Sequence, residues 1–216
     1  MKSVLSTKKL TSFQKDLLRH AAVSLVDYNA IKIDFVPFEI PQNIQNAIFT
    51  SQNAVLAIQN SEFRIQNCFC VGEKTKQLLE ENDFTVNKMT EYASELAEYL
   101  VKNHKNESFH FFCGNLRSEE IPSKLKQNKI AFEEIEVYKT TLTPQNFQST
   151  FDAVLFFSPS GVRSFFSENK INTARAICIG TTTASEARKY TVNVEISNAT
   201  TVESVIAKAV KSLNGH

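Results

Sequence analysis

The feature that most constrains this chain is that it repeats itself at half its length. Ile48-Phe49-Thr50-Ser51-Gln52-Asn53-Ala54-Val55 resembles Leu155-Phe156-Phe157-Ser158-Pro159-Ser160-Gly161-Val162, about half a chain further on. Cys70-Val71-Gly72-Glu73-Lys74-Thr75 resembles Cys178-Ile179-Gly180-Thr181-Thr182-Thr183 at half the chain length. Ser94-Glu95-Leu96-Ala97 stands opposite Val202-Glu203-Ser204-Val205 at the same offset, as do Phe13 and Leu17 opposite Ile121 and Leu125. Each match is weak alone. A shared order and an offset of half the 216 residues argue against chance and predict a duplicated unit.

Hydrophobic period says what kind of unit. Short apolar runs at 4–6, 23–26, 47–50, 68–71, 109–113, 153–157 and 176–179 read as buried strands. Between them lie stretches of helical period: Phe13, Leu17 and Ala21; Ala93, Ala97 and Val101; and the stripe Val202, Val205, Ile206, Ala209 and Val210. Strands alternating with helices predict an α/β fold, with parallel sheets covered by helices on both faces. Such sheets place ligand sites at the carboxyl ends of strands. Two further segments, 31–37 and 130–141, are extended in character and stand at equivalent places in the halves; the second holds Ile135, Val137 and Tyr138. If each crosses once between two lobes, the chain divides into a discontinuous lobe of 1–33 with 143–216 and a continuous lobe of 38–134. The connectors are then about 31–38 and 134–142.

Composition removes several function classes. Lys and Arg number 24 against 23 Asp and Glu, a net charge of +1, whereas a dedicated nucleic-acid binder carries a basic excess. An apolar fraction of 42% supplies a core, yet no apolar run approaches the ~20 residues of a membrane span. The first residues, Met1 to Lys9, lack the apolar stretch of a signal peptide, so a cytoplasmic protein is expected. Cys68, Cys70, Cys113 and Cys178 fall at strand positions without zinc-ligand spacing and read as reduced, buried thiols. His20, His104, His110 and His216 lack metal-ligand spacing and read as surface or core residues. With five glycines there is little room for a phosphate loop. The first strand ends in Ser6-Thr7-Lys8 rather than the paired acids of a phosphorylated receiver. No metal and no cofactor are expected, so the chemistry must be mild or carried by the substrate.

Four turns at strand ends have the composition to grip anions or polar groups: Thr50-Ser51-Gln52-Asn53, Gly72-Glu73-Lys74-Thr75, Ser158-Pro159-Ser160-Gly161 and Gly180-Thr181-Thr182-Thr183. In each, glycine or a small hydroxylated residue lets backbone approach a ligand while free helix N–H groups point outward. Pro159 suits the first position of a helix. Ser and Thr at such places also serve as ordinary helix caps with no ligand, each stabilising by about 1 kcal/mol. Four turns at corresponding places in a duplicated unit favour a shared ligand role. A fifth turn, Cys113-Gly114-Asn115-Leu116-Arg117, adds an arginine, and its counterpart Ser6-Thr7-Lys8-Lys9 adds two lysines.

These motifs together resemble the uroporphyrinogen-III synthase family. The landmarks are Phe49-Thr50-Ser51, Val71-Gly72, Cys113-Gly114-Asn115-Leu116-Arg117, Val137-Tyr138-Lys139-Thr140, Phe156-Phe157-Ser158-Pro159-Ser160-Gly161 and Ile179-Gly180-Thr181-Thr182-Thr183-Ala184. They run in the family's order nearly end to end, and the last two are the specific ones. The resemblance implies two α/β lobes joined by a two-stranded β connector, a mobile cleft between them, and a monomer. It implies a cofactor-free lyase that cyclises hydroxymethylbilane, a linear tetrapyrrole with eight carboxylates, to uroporphyrinogen III with loss of water and inversion of ring D through a spiro intermediate. Tyr138 is the implied proton donor to the leaving hydroxyl. Thr50, Ser51, Gly72, Lys74, Gly114, Asn115, Arg117, Ser158, Ser160, Gly161, Thr182 and Thr183 are the implied substrate contacts. Lys8, Lys9, Lys139 and Arg163 are further candidates for local positive charge. A transient contact with the preceding pathway enzyme is the only protein partner implied; nucleic acid and membrane are not.

The chain departs from the family at two places. Thr7-Lys8-Lys9 stands where an Arg-Pro pair is frequent, and Thr181 where proline is frequent. The rival reading is a non-catalytic two-lobed protein that binds a tetrapyrrole or another polyanion and has no need of Tyr138.

Overall fold

The alternation of buried strands and amphipathic helices is carried through in the computed structural model, which describes residues 1–215. The chain opens with β1 (Lys2–Ser6), α1 (Ser12–His20), β2 (Val23–Asp27) and β3 (Ile31–Phe35). It continues with β4 (Asn43–Phe49), α2 (Gln52–Ile58), β5 (Arg64–Val71), α3 (Glu73–Glu80), β6 (Val86–Thr90) and α4 (Ala93–Asn103). Then come β7 (Ser108–Gly114), α5 (Glu120–Gln127), β8 (Ala131–Leu142), β9 (Ala153–Phe156) and α6 (Pro159–Phe166). The last elements are β10 (Arg175–Cys178), α7 (Thr181–Ala187), β11 (Val194–Ile196) and α8 (Val202–Asn214). Two units result, one from Met1–Lys32 with the chain from Thr141 onward, the other Ile33–Thr140. The chain passes between them along β3 and β8, which are neighbours in the sheet order.

The two sheets run β11-β10-β9-β1-β2 and β3-β8-β7-β4-β5-β6. Shifting the first by half the chain length lays β11, β10, β9 and β1 on β6, β5, β4 and β7, and β2 on the start of β8. The pairs α1 and α5, α3 and α7, and β6 and β11 each begin half a chain apart, so the sequence repeat is a repeat of architecture. Strand pairing is parallel throughout β1–β2, β1–β9, β9–β10, β10–β11, β4–β5, β4–β7, β5–β6 and β7–β8. Parallel strands joined by helices are buried on both faces, which is why β9 is wholly apolar and wholly buried. Each sheet accordingly has two cores. Phe49, Phe112 and Val137 sit on one face of the larger sheet, and Phe69, Phe111 and Leu125 on the other. Leu5 and Phe156 oppose Val4 and Leu155 in the smaller.

Three sequence expectations need correction. Helical period puts the α1 stripe on Phe13, Leu17 and Ala21, but Phe13 is 65% exposed and the fully buried residue is Leu18. The strand expected at 47–50 starts at Asn43, because Asn46 is buried in a polar ladder that hydropathy does not show. Its amide donates to Glu107 Oε2 (2.9 Å) and Ser108 O (3.1 Å) and accepts from Asn67, whose oxygen accepts in turn from Asn87. β6 and β11 have no counterpart in the expected strands; both are sheet edges with mixed polar sequences and no apolar run. No helix among the described residues is long and apolar enough to cross a membrane. His216 lies outside the described residues.

Candidate active site

Within the Ile33–Thr140 unit, β7, β4 and β5 are neighbours in the sheet, and β8 runs on past the end of β7. Thr50 and Ser51 follow β4, and Ser51 caps α2 by accepting the Asn53 N–H at 3.2 Å. Gly72 follows β5 and opens α3 with φ +87°, a left-handed conformation that other residues rarely adopt. No side chain caps α3, so its first amides have no side-chain partner. Lys74, in the first turn, is exposed and has no ion pair among the described residues.

Gly114 closes β7, and the ring of Tyr138 lies over it. A Cβ at Gly114 would collide with Tyr138 Cε2 and come within 2.5 Å of Cζ, so only glycine fits. Burial pushes the Tyr138 phenol above its ordinary value, while a hydrogen bond with the Ser51 side chain pulls it down. The phenol is therefore protonated at neutral pH. Asn115 uses both ends of its amide on Thr140: Oδ1 accepts the Thr140 N–H (2.7 Å) and Nδ2 donates to Thr140 O (3.3 Å). Arg117 donates from Nε to Glu134 (2.6 Å), bonds the same carboxylate through Nη2, and bonds Glu119 through Nη1. Lys139 is exposed, 3.8 Å from Glu136.

The other unit has matching turns with different details. Ser158 Oγ caps α6 by accepting the Gly161 N–H at 3.0 Å and lies 3.1 Å from Ser160 Oγ, with Pro159 in the first helical turn. Gly161 is packed from below: a Cβ there would sit 3.5 Å from Thr7 Oγ1. Thr7 is itself buried and donates both Oγ1–H (2.8 Å) and N–H (3.1 Å) to Leu155 O, tying the ends of β1 and β9. Gly180 opens α7 without a side-chain cap; Thr182 is exposed and Thr183 is buried. Arg163 lies 3.6 Å from Glu186, which Lys189 also contacts at 2.7 Å. Lys8 and Lys9 are exposed and carry no ion pair among the described residues.

Sequence reasoning placed Thr7 only in a lysine-bearing turn and passed over Ser197; both tie strand ends together. Ser197 Oγ contacts Ile179 O (3.1 Å) and Ala199 O (2.8 Å) below the Gly180 turn. Their available signal was a hydroxylated residue at a strand end opposite a glycine turn on the neighbouring strand. Among the described residues no group of three or more His, Cys, Asp or Glu side chains is placed to hold a metal ion.

The fold and these turns define a duplicated parallel α/β protein, with glycine and hydroxyl turns at the strand ends of each copy. The family described as uroporphyrinogen-III synthase HemD matches residues 15–207, and the chain belongs to that family. The porphyrin biosynthesis protein HemD of Ruminiclostridium josui is 26% identical over 164 residues, covering 68% of this chain and 32% of that protein. The chain thus spans about a third of the length of this curated relative. Two solved structures share the fold. Uroporphyrinogen-III synthetase from Helicobacter pylori 26695 has a TM-score of 0.70 at 16% identity, covering 98% of this chain and 100% of that one. A mutant uroporphyrinogen III synthase from Thermus thermophilus has a TM-score of 0.74 at 13% identity, with full coverage of both chains.

Proposed function

We propose that this chain closes hydroxymethylbilane to uroporphyrinogen III, releasing water and inverting ring D through a spiro intermediate. Tyr138 carries this reading: a protonated, half-buried phenol beside Ser51 at the end of the sheet, in a family of uroporphyrinogen-III synthases. The ring-A hydroxyl leaves as water, taking its proton from Tyr138 while the ring-A nitrogen supplies the electron pair. The substituted carbon of ring D attacks the resulting azafulvene. The bond from that ring-D carbon to the ring-C methylene then breaks, the free carbon of ring D closes on the released methylene with the ring reversed, and the proton it loses on rearomatising returns to the Tyr138 phenolate. Spontaneous closure at the free carbon gives the type I isomer, so the protein acts chiefly by holding the chain in the conformation that disfavours it. A phenol raised by burial is a weak acid, so its loss slows the reaction without abolishing it.

The eight carboxylates find donors rather than a strongly basic wall. We assign this role in the Ile33–Thr140 unit to the uncapped start of α3, the Thr50 hydroxyl and the exposed Lys74, and in the other unit to the start of α7, the hydroxyls of Ser158, Ser160 and Thr182, and the exposed Lys8 and Lys9. Gly114 and Asn115 act through Tyr138 and Thr140 rather than on the substrate, and Arg117 is neutralised by its own carboxylates. Supplying the purified protein with enzymatically generated hydroxymethylbilane and separating the oxidised products as isomers I and III tests the proposal. Dominant type III product is expected, with Tyr138→Phe slower but still type III. Only type I, at the spontaneous rate and with folded protein, overturns it in favour of a tetrapyrrole-binding protein.

A further inference from the structure

Resting on the reading of Tyr138 as proton donor, we propose that Gly114, Asn115 and a bulge at Val137 form a positioning device. It turns the Tyr138 ring across the end of β7 so that the phenol meets Ser51. Along a strand, side chains alternate between faces. In β8, Ile135 and Val137 belong to the core that holds Phe49 and Phe112, whereas Phe132 packs on the opposite face with Phe111 and Cys113. Regular alternation puts Tyr138 on the Phe132 face. Tyr138 instead packs against the Phe112 core.

The pairing of β7 with β8 supplies the cause. Residues match one to one from Ser108 opposite Ala131 to Cys113 opposite Glu136, and then Gly114 stands opposite Tyr138. Val137 is the inserted residue of a β-bulge, the device by which strands re-aim a side chain. The re-aimed ring passes directly over Gly114, where any Cβ would collide with it. Beyond the ring, the Asn115 amide pairs with both the N–H and the C=O of buried Thr140, standing in for the main-chain ladder that the bulge interrupts. β4, on the other side of β7, is followed by Ser51, whose Oγ accepts from Asn53 N and whose side chain lowers the Tyr138 phenol against the effect of burial. Three elements thus fix one hydroxyl: β8 by its bulge, β7 by glycine and asparagine, and β4 by the serine after it.

The test combines ring-labelled tyrosine NMR with kinetics. The Tyr138 resonance is assigned by its loss in Tyr138→Phe and titrated against pH in wild type, Asn115→Ala and Asn115→Asp. Asn115→Ala is expected to shift that resonance and move its titration toward an ordinary phenol. It should also lower kcat on the order of tenfold with KM changed less than about twofold. Asn115→Asp keeps the acceptor for Thr140 N–H and should recover part of both effects. Gly114→Ala should lower Tm in the wild-type background and have little effect in Tyr138→Ala, where the ring is gone. An unchanged Tyr138 resonance and titration in Asn115→Ala, or an equal cost of Gly114→Ala in both backgrounds, overturns the device. The resonance and the melting cycle read the geometry even if no type III product forms, so failure of the proposed activity is told apart from failure of the positioning.

Discussion

Alkaline pH should weaken this protein through its buried thiols, chiefly in the Ile33–Thr140 unit. Burial raises Cys68 and Cys70 from 9.0 to about 12 and Cys113 to about 11, and Cys178 in the other unit to about 12. A group whose folded value is raised keeps its full stabilisation below the unfolded value and loses it as pH rises toward the folded one. The window therefore opens near 9 and closes near 11 to 12. At pH 10 the unfolded thiols are ionised and the folded ones are not, which costs about 1.4 kcal/mol per thiol. Cys68, Cys70 and Cys113 together remove about 4 kcal/mol, a large share of the roughly 5–15 kcal/mol that holds a typical domain folded. Urea unfolding under reductant near pH 7.5, 9 and 10 reads the loss directly. The Cys68→Ala/Cys70→Ala/Cys113→Ala variant should start less stable, since it opens small voids, but fall less steeply with pH. Equal slopes in the two proteins would falsify the assignment of the alkaline loss to these thiols.

Three further outcomes follow from particular contacts. Asn46→Ala should destabilise by about 1–3 kcal/mol, because Glu107, Ser108 O and Asn67 lose a buried partner, and chemical denaturation with unchanged kcat checks it. Ser158→Ala should cost about 1 kcal/mol through the α6 cap and raise KM, whereas Ser158→Thr keeps the cap; melting curves and substrate titrations separate the two effects. Arg117→Gln should change KM by less than about threefold, since Glu119 and Glu134 already neutralise the guanidinium; a tenfold rise would place that charge on the substrate instead.

The repeat and the class of fold were legible because both rest on features that a sequence prints directly. Strands buried on both faces are apolar runs, as in Ala153 to Phe156, and the half-length offset needs only matching residues. The edge strands β6 and β11 were not legible, because an edge keeps polar residues such as Asn87 and Glu195. The strand-end turns could be named but their uses could not. Ser51 and Ser158 are helix caps as well as candidate contacts, and nothing in the order of residues separates the two. Arg117 looks like a free cation until Glu134, far along the chain, is folded against it. The place of Tyr138 depends on a one-residue slip of register, and a bulge has no periodic signature.

That slip also separates the two copies in a way that suits the proposed substrate, whose two ends differ. The positions half a chain before Gly114, Asn115 and Tyr138 are Ser6, Thr7 and Ala30. In that copy the main chain continues the pairing unaided: Ala30 N donates to Thr7 O at 3.0 Å, and Ser6 turns its hydroxyl onto Lys8 O. Ala30 is fully buried and presents nothing to a ligand. The pairing differs in the other copy: Ser6 stands opposite Asp27, whereas Gly114 stands opposite Tyr138 beyond the bulge, and the Asn115 side chain bonds the Thr140 main chain. A polyanion alone could be bound by two identical sets of turns, since carboxylates on either side ask for the same N–H groups. Removing one hydroxyl, from one end of the chain, calls for a proton donor in one copy and its absence from the other. The turns at the strand ends are common to both copies, and the departure at Gly114, Asn115 and Tyr138 is where the chemistry proposed for this chain is assigned.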